Sequence, residues 1–195
     1  MFLTIKKTTN KKPKITKNKT KCFEHSTYGN DVVYKLKKKD KDYFFNNSWT
    51  SPFYKYEYDK KNKCLVLDRI LHNTNFFPYN YGFIPNTLSP DGDPVDIIVL
   101  SDYSLTPGIT CDVKIVGGIN TIDEAGQDDK IISVLSEKID THSKDINGIK
   151  DVRKSSLDSI RYFLEHYKDN EKDKHIVVKE FYDKDKALDI IHKYS

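Results

Sequence analysis

The sequence predicts an α+β domain built on a small β-barrel. Three observations predict it. Between about Asp31 and Ile119 the apolar and aromatic residues fall in short runs or alternate with polar ones, as strands require. From Ser155 the apolar period becomes helical. The order of strands first and helices later, with no internal repeat, is that of an α+β domain, since α/β chains alternate the two.

The elements follow from the N-terminus. Residues 1–23 hold eight lysines, no acid and Pro13, and are expected to form a disordered tail. The domain then spans 24–195. Val32-Val33-Tyr34 starts a strand. Residues 37–51 are charged and aromatic, and are expected to form an inserted hairpin. Phe53 to Tyr58 alternates aromatic with charged residues, so it reads as a half-buried strand. Cys64 to Ile70 is a further strand. Phe76 to Pro85, with Gly82 and two prolines, is a tight loop-and-strand passage. Ile97 to Leu100 and Cys111 to Ile119 add two strands. Leu157, Ile160, Phe163, Leu164 and Tyr167 mark a helix over Ser155 to Tyr167. Ile176 to Phe181 is a short strand, and Lys184 to Tyr194 a closing helix.

Composition limits the function. The 195 residues suit one domain with a core and a tail. No apolar run approaches the roughly 18 residues that span a bilayer, so no membrane segment is expected. Cys22, Cys64 and Cys111 show no paired spacing, which suits a reduced compartment and makes no zinc site. The net charge of +4 is misleading: without the eight tail lysines, 25 basic residues face 29 acidic ones, a balance of −4. That argues against a nucleic-acid partner for the folded body. A cytoplasmic protein is expected. The basic, acid-free tail keeps organelle targeting open, and its lack of an apolar core argues against secretion.

Asp91-Gly-Asp-Pro-Val-Asp96 places three carboxylates within six residues. Gly92 permits a turn or a close approach, and Pro94 fixes one dihedral. Carboxylates this close repel unless a cation lies between them. Hard ions such as Mg2+ take oxygen ligands together with waters and substrate phosphates. The same dipeptides form ordinary solvated turns, so that reading stays open here. An EF-hand is a poor match, because its glycine belongs at the sixth position and a glutamate at the twelfth. A second acidic run, Asp123 to Asp129, follows an apolar strand and ends at Lys130. It reads either as a solvated loop or as the other half of a site for several ions. Lys55 and Glu57, two apart on a strand, share a face. With Arg69, Tyr81, Tyr167 and Lys168 they supply what phosphoryl chemistry requires. Tyr81 reads equally as core, and Tyr167-Lys168 as a helix end favoured by the dipole.

In their order and intervals, these segments resemble family I soluble inorganic pyrophosphatase. The carriers are Lys55-Tyr-Glu57-Tyr-Asp59, Asp68-Arg69, Pro78-Tyr-Asn80-Tyr81-Gly82, Asp91 to Asp96, Asp123-Glu124-Ala-Gly-Gln-Asp128-Asp-Lys130, and Phe163-Leu-Glu-His-Tyr167-Lys168. The resemblance covers about residues 31–195 and implies a five-stranded OB-like barrel with helices outside. It implies Mg2+-dependent hydrolysis of pyrophosphate to two phosphates, with several ions per site, in a homo-oligomer that is a hexamer or a dimer. By similarity, Asp91, Asp96 and Asp128 hold the first ion, and Asp96 shares a second. Asp93 handles the proton of the attacking water. Asp123 and Asp128 hold ions arriving with substrate. Lys55, Arg69, Lys130, Tyr167 and Lys168 grip the phosphates, and Glu57 and Tyr81 complete the lining.

Two departures from the family pattern stand out. Its first strand reads V-V-x-E-I-P, whereas Val32-Val33-Tyr34-Lys35 sets a lysine where the acid falls. Phe77 replaces a tyrosine before Pro78. They motivate a competing reading, a catalytically weakened relative with a binding or scaffold role. A single-strand nucleic-acid binder on a barrel is the third reading.

Overall fold

A computed structural model describes residues 43–49, 54–59, 64–70 and 76–195. The tail, the Val32–Tyr34 strand and Lys35 lie outside them. The strands are β1 (Tyr43–Trp49), β2 (Tyr54–Asp59), β3 (Cys64–Ile70), β4 (Asn80–Phe83), β5 (Asp96–Leu100), β6 (Thr110–Asp123), β7 (Gly126–Gln127), β8 (Lys130–Leu135) and β9 (Ile176–Tyr182). The helices are α1 (Lys154–His166) and α2 (Lys184–Tyr194).

Five strands close on themselves in the order β1-β4-β5-β8-β6, because β6 pairs back to β1. All neighbours are antiparallel except β5 and β8, which run parallel with Ile97 opposite Ile131. This is the expected small barrel. β6 is 14 residues long, so it also carries β7 and β9 beyond the barrel. β2 and β3 form a separate hairpin in which Lys55 lies opposite Arg69.

Two of these strands differ from expectation. Tyr43–Trp49 falls within 37–51, yet it is a barrel strand paired to both β4 and β6, where an inserted hairpin was expected. β8 has no counterpart in the pattern above. It is buried along its whole length, and successive residues enter different cores. Ile97, Val99, Ile131 and Leu135 pack with Ala187 and Ile191 of α2. Ile98, Ile132 and Val134 pack with Ile160, Phe163 and Leu164 of α1. A strand covered on both faces loses the apolar–polar alternation. Each such isoleucine stabilises the fold by about 1.5–3 kcal/mol through burial.

The helices follow from local chemistry. Ile160, Phe163 and Leu164 make the buried stripe of α1. Asp183 caps α2, accepting from the Lys186 amide at 3.0 Å. Tyr182 lies flat on β6, where a Cβ on Gly118 would collide with its ring.

Candidate active site

A cleft of about 480 Å³ opens beside the barrel. Asp93, Asp91, Asp96, Asp123, Asp128, Lys55, Glu57, Arg69, Tyr81, Lys130, Tyr167 and Lys168 all line it. The twelve predicted site residues come from six parts of the chain, and the fold brings every one of them together.

Backbone register sets the centre of the cleft. Asp96 opens β5 and Lys130 opens β8, and the parallel register holds them side by side. Lys130 Nζ lies 2.5 Å from Asp96 Oδ2 and 2.5 Å from Asp128 Oδ1. Tyr81, on β4, donates its hydroxyl to the same Asp96 oxygen. Tyr81 is therefore core and site at once. Burial opposes the charge of Lys130, but Asp96 and Asp128 outweigh it and hold the ammonium well above the usual lysine range. Burial, then repulsion from Asp96, pushes the Tyr81 phenol well up, so it stays a donor. Burial is also the main cause that lifts the Asp128 carboxyl, helped by Asp96 and partly offset by Lys130.

The Asp91–Asp96 segment is a turn in which Asp91 and Asp93 are exposed while Asp96 reaches the centre of the cleft. The Gly92 amide donates to the Ser89 carbonyl at 2.9 Å, and the Asp93 amide to Asp91 Oδ1 at 2.9 Å. Gly92 has φ +88° and nothing within 4 Å of a Cβ position. The glycine is there for the left-handed turn, and no close approach requires it. Opposite, β6 and β7 make the acidic hairpin. Its base is tied by the Asp128 amide to the Thr121 carbonyl at 2.9 Å and by the Thr121 hydroxyl to the Asp128 carbonyl.

Tyr167 caps the C-terminus of helix α1, its amide donating to the Phe163 carbonyl at 2.9 Å. Lys168 then enters the cleft, with Nζ 3.1 Å from both Asp123 Oδ2 and Glu124 Oε2. Phe77 forms part of the wall, edge-on to Tyr81 at 4.8 Å and to Phe163 at 4.4 Å. On the β2–β3 hairpin, Lys55 Nζ is 2.6 Å from Glu57 Oε1, and Arg69 Nε is 2.6 Å from Asp68 Oδ2.

Glu124, Glu171 and Lys174 also line the cleft and were not among the expected site residues. Glu124 belongs to the acidic run, so that run was its signal. Glu171 and Lys174 sit in the charged run 168–174, where isolated charges look like a solvated loop.

Eight acids and five bases line the cleft, a formal balance of −3. Among the described residues no three acid, His or Cys side chains stand close enough to hold an ion as they are. Instead, ammonium groups sit on the acids: Lys130 between Asp96 and Asp128, and Lys168 between Asp123 and Glu124. The donor set is entirely oxygen, which fits a hard divalent cation.

The comparisons agree with this geometry. The family model for inorganic pyrophosphatase matches residues 49–195. An inorganic pyrophosphatase of Helicobacter pylori is 43% identical over 139 residues, which is 71% of this chain and 80% of that one. One of Saccharolobus solfataricus is 42% identical over 124 residues, 64% of this chain and 72% of its own. The solved Helicobacter pylori pyrophosphatase superposes with a TM-score of 0.79 at 36% identity, covering 84% of this chain and 96% of that one. The Thermus thermophilus enzyme gives 0.76 at 36%, covering 82% and 92%. The barrel, the cleft and these matches together make this chain a member of the family I inorganic pyrophosphatases.

Proposed function

We propose that this chain hydrolyses pyrophosphate to two phosphates at the cleft described above, with Mg2+ as its ion and several ions per site. The observation that carries the proposal is the charge layout. A cleft of balance −3 repels a bare polyanion, yet it holds Lys55, Arg69, Lys130 and Lys168 at its walls. Such a site accepts phosphates only together with cations.

Asp91, Asp96 and Asp128 would hold the first ion, with Asp96 shared by a second. Asp123 and Asp128 would hold those that come with substrate. Ions held there would neutralise phosphate charge and lower the pKa of a coordinated water. The chain's own groups do the rest. Asp93 takes the water's proton. Lys55, Arg69, Lys130, Tyr167 and Lys168 hold the phosphate oxygens and offset the charge that gathers on the leaving phosphate. Tyr81 and Glu57 orient their neighbours, Tyr81 through Asp96 and Glu57 through Lys55. The homo-oligomer, hexamer or dimer, belongs to the same reading, and light scattering on the purified protein measures it.

The test is phosphate release from pyrophosphate with Mg2+, its loss on chelation, and its loss in Asp93→Ala. Release no higher than that of heat-killed protein overturns the reading.

A further inference from the structure

The segment after α1 crosses the mouth of the cleft and makes ion pairs that the roles above leave unused. Within seven residues it presents Lys168, Glu171 and Lys174, and each meets its opposite charge. Lys168 reaches Asp123 and Glu124. Lys174 Nζ lies 2.5 Å from Glu124 Oε1. Glu171 Oε2 lies 2.6 Å from Arg69 Nη1. Backbone turns fix the spacing: the Glu171 amide donates to the Lys168 carbonyl at 2.8 Å, and the Lys174 amide to the Glu171 carbonyl at 3.3 Å.

The segment thus places cations on the acidic wall and an anion on the basic one. Arg69 shows this most clearly. Asp68 holds its Nε and fixes the plane of the guanidinium. Glu171 takes a donor of the outer edge, the edge with which an arginine grips a phosphate.

We propose that Glu171 occupies the phosphate seat on Arg69 in the resting protein and is displaced when the anion binds. The proposal rests on the pyrophosphatase reading. Glu171 is then a positioning residue that acts through Arg69, an internal competitor that weakens anion binding and eases release of product. If the pair is made about 80–90% of the time, apparent anion affinity falls about five- to tenfold, because the competent fraction divides the intrinsic affinity.

Calorimetry of inorganic phosphate binding to the Mg2+-saturated protein tests this. Glu171→Gln keeps the shape and removes the charge. The expected result is about five- to tenfold tighter phosphate binding, a matching fall in KM for pyrophosphate, and a kcat no higher than wild type. Glu171→Asp, too short to reach Arg69, should behave likewise. On an Arg69→Lys background, Glu171→Gln should change phosphate binding less than about twofold. A structural clamp predicts the opposite sign, with weaker binding and a lower melting temperature. Unchanged or weaker phosphate binding in Glu171→Gln overturns the proposal while wild-type turnover keeps the enzyme reading intact. A wild type that neither binds phosphate nor releases it overturns both.

Discussion

Replacing Lys130 by methionine removes a positive charge from the centre of the cleft with little change in apolar volume. The Lys130 side chain is 3% exposed, and its ammonium lies 2.5 Å from each of Asp96 and Asp128. Deleting one partner of a fully buried ion pair costs about 3–5 kcal/mol, because the other charge is left without compensation. Asp96 and Asp128 are 29% and 19% exposed, so water recovers part of this. We expect a loss of about 2–3 kcal/mol. For a domain of this size that is a fall in Tm of about 4–12 °C. Thermal unfolding with a chelator present measures it. Adding Mg2+ should then raise the Tm of Lys130→Met more than that of wild type, because the stranded carboxylates gain most from a cation. A loss under about 1 kcal/mol, or an equal Mg2+ shift in the two proteins, would refute the reasoning.

Three further predictions follow from the same geometry. Asp93→Asn should lower kcat by about 10²–10⁴ with little change in KM, as loss of a general base does; steady-state kinetics that show a KM effect alone would contradict the role of Asp93. Gly118→Ala should cost about 1–3 kcal/mol in urea unfolding, since the new methyl displaces the Tyr182 ring. Burial is the largest single effect on the Glu124 carboxyl and raises it, but hydrogen bonds from Lys174, the backbone and Lys168 together outweigh it and hold the group at about 2, below its ordinary 4.5. A depressed carboxyl contributes stability above its unfolded value and loses it as pH falls through the folded one. In metal-free protein, the Tm gap between wild type and Glu124→Gln should therefore be full above pH 4.5 and close toward pH 2. A gap that widens on acidification would show that the ion pairs with Lys168 and Lys174 do not hold Glu124.

The residues that carry chemistry were more legible in the sequence than the strands that position them. Packing gives no reason to set Asp91, Asp93 and Asp96 within six residues, so the acids announced a site. Every residue assigned to it lines the cleft. β8 escaped because Ile131 and Ile132 point into different cores and leave no alternation to detect. β1 escaped because its residues follow a run of lysines and look like part of an exposed excursion. Its pairing partners lie on β4 and β6, far along the chain. Glu171 was hidden for a related reason, since Arg69 stands 102 residues away and a single glutamate among lysines carries no period. Local pattern records which side of an element is apolar. It does not record what a long loop closure sets beside it.

The parallel pairing of β5 with β8 bears on how this protein can vary. The separation of Asp96 from Lys130 is fixed by a ladder of backbone hydrogen bonds. It owes nothing to the length of the connections that join the two strands. The loop of residues 101–109, between β5 and β6, can therefore lengthen or shorten while the distance between acid and ammonium stays constant. A slip of one residue in either strand would turn that strand's group away from the cleft and from its partner. Evolution is thus free at the loops and bound at the register.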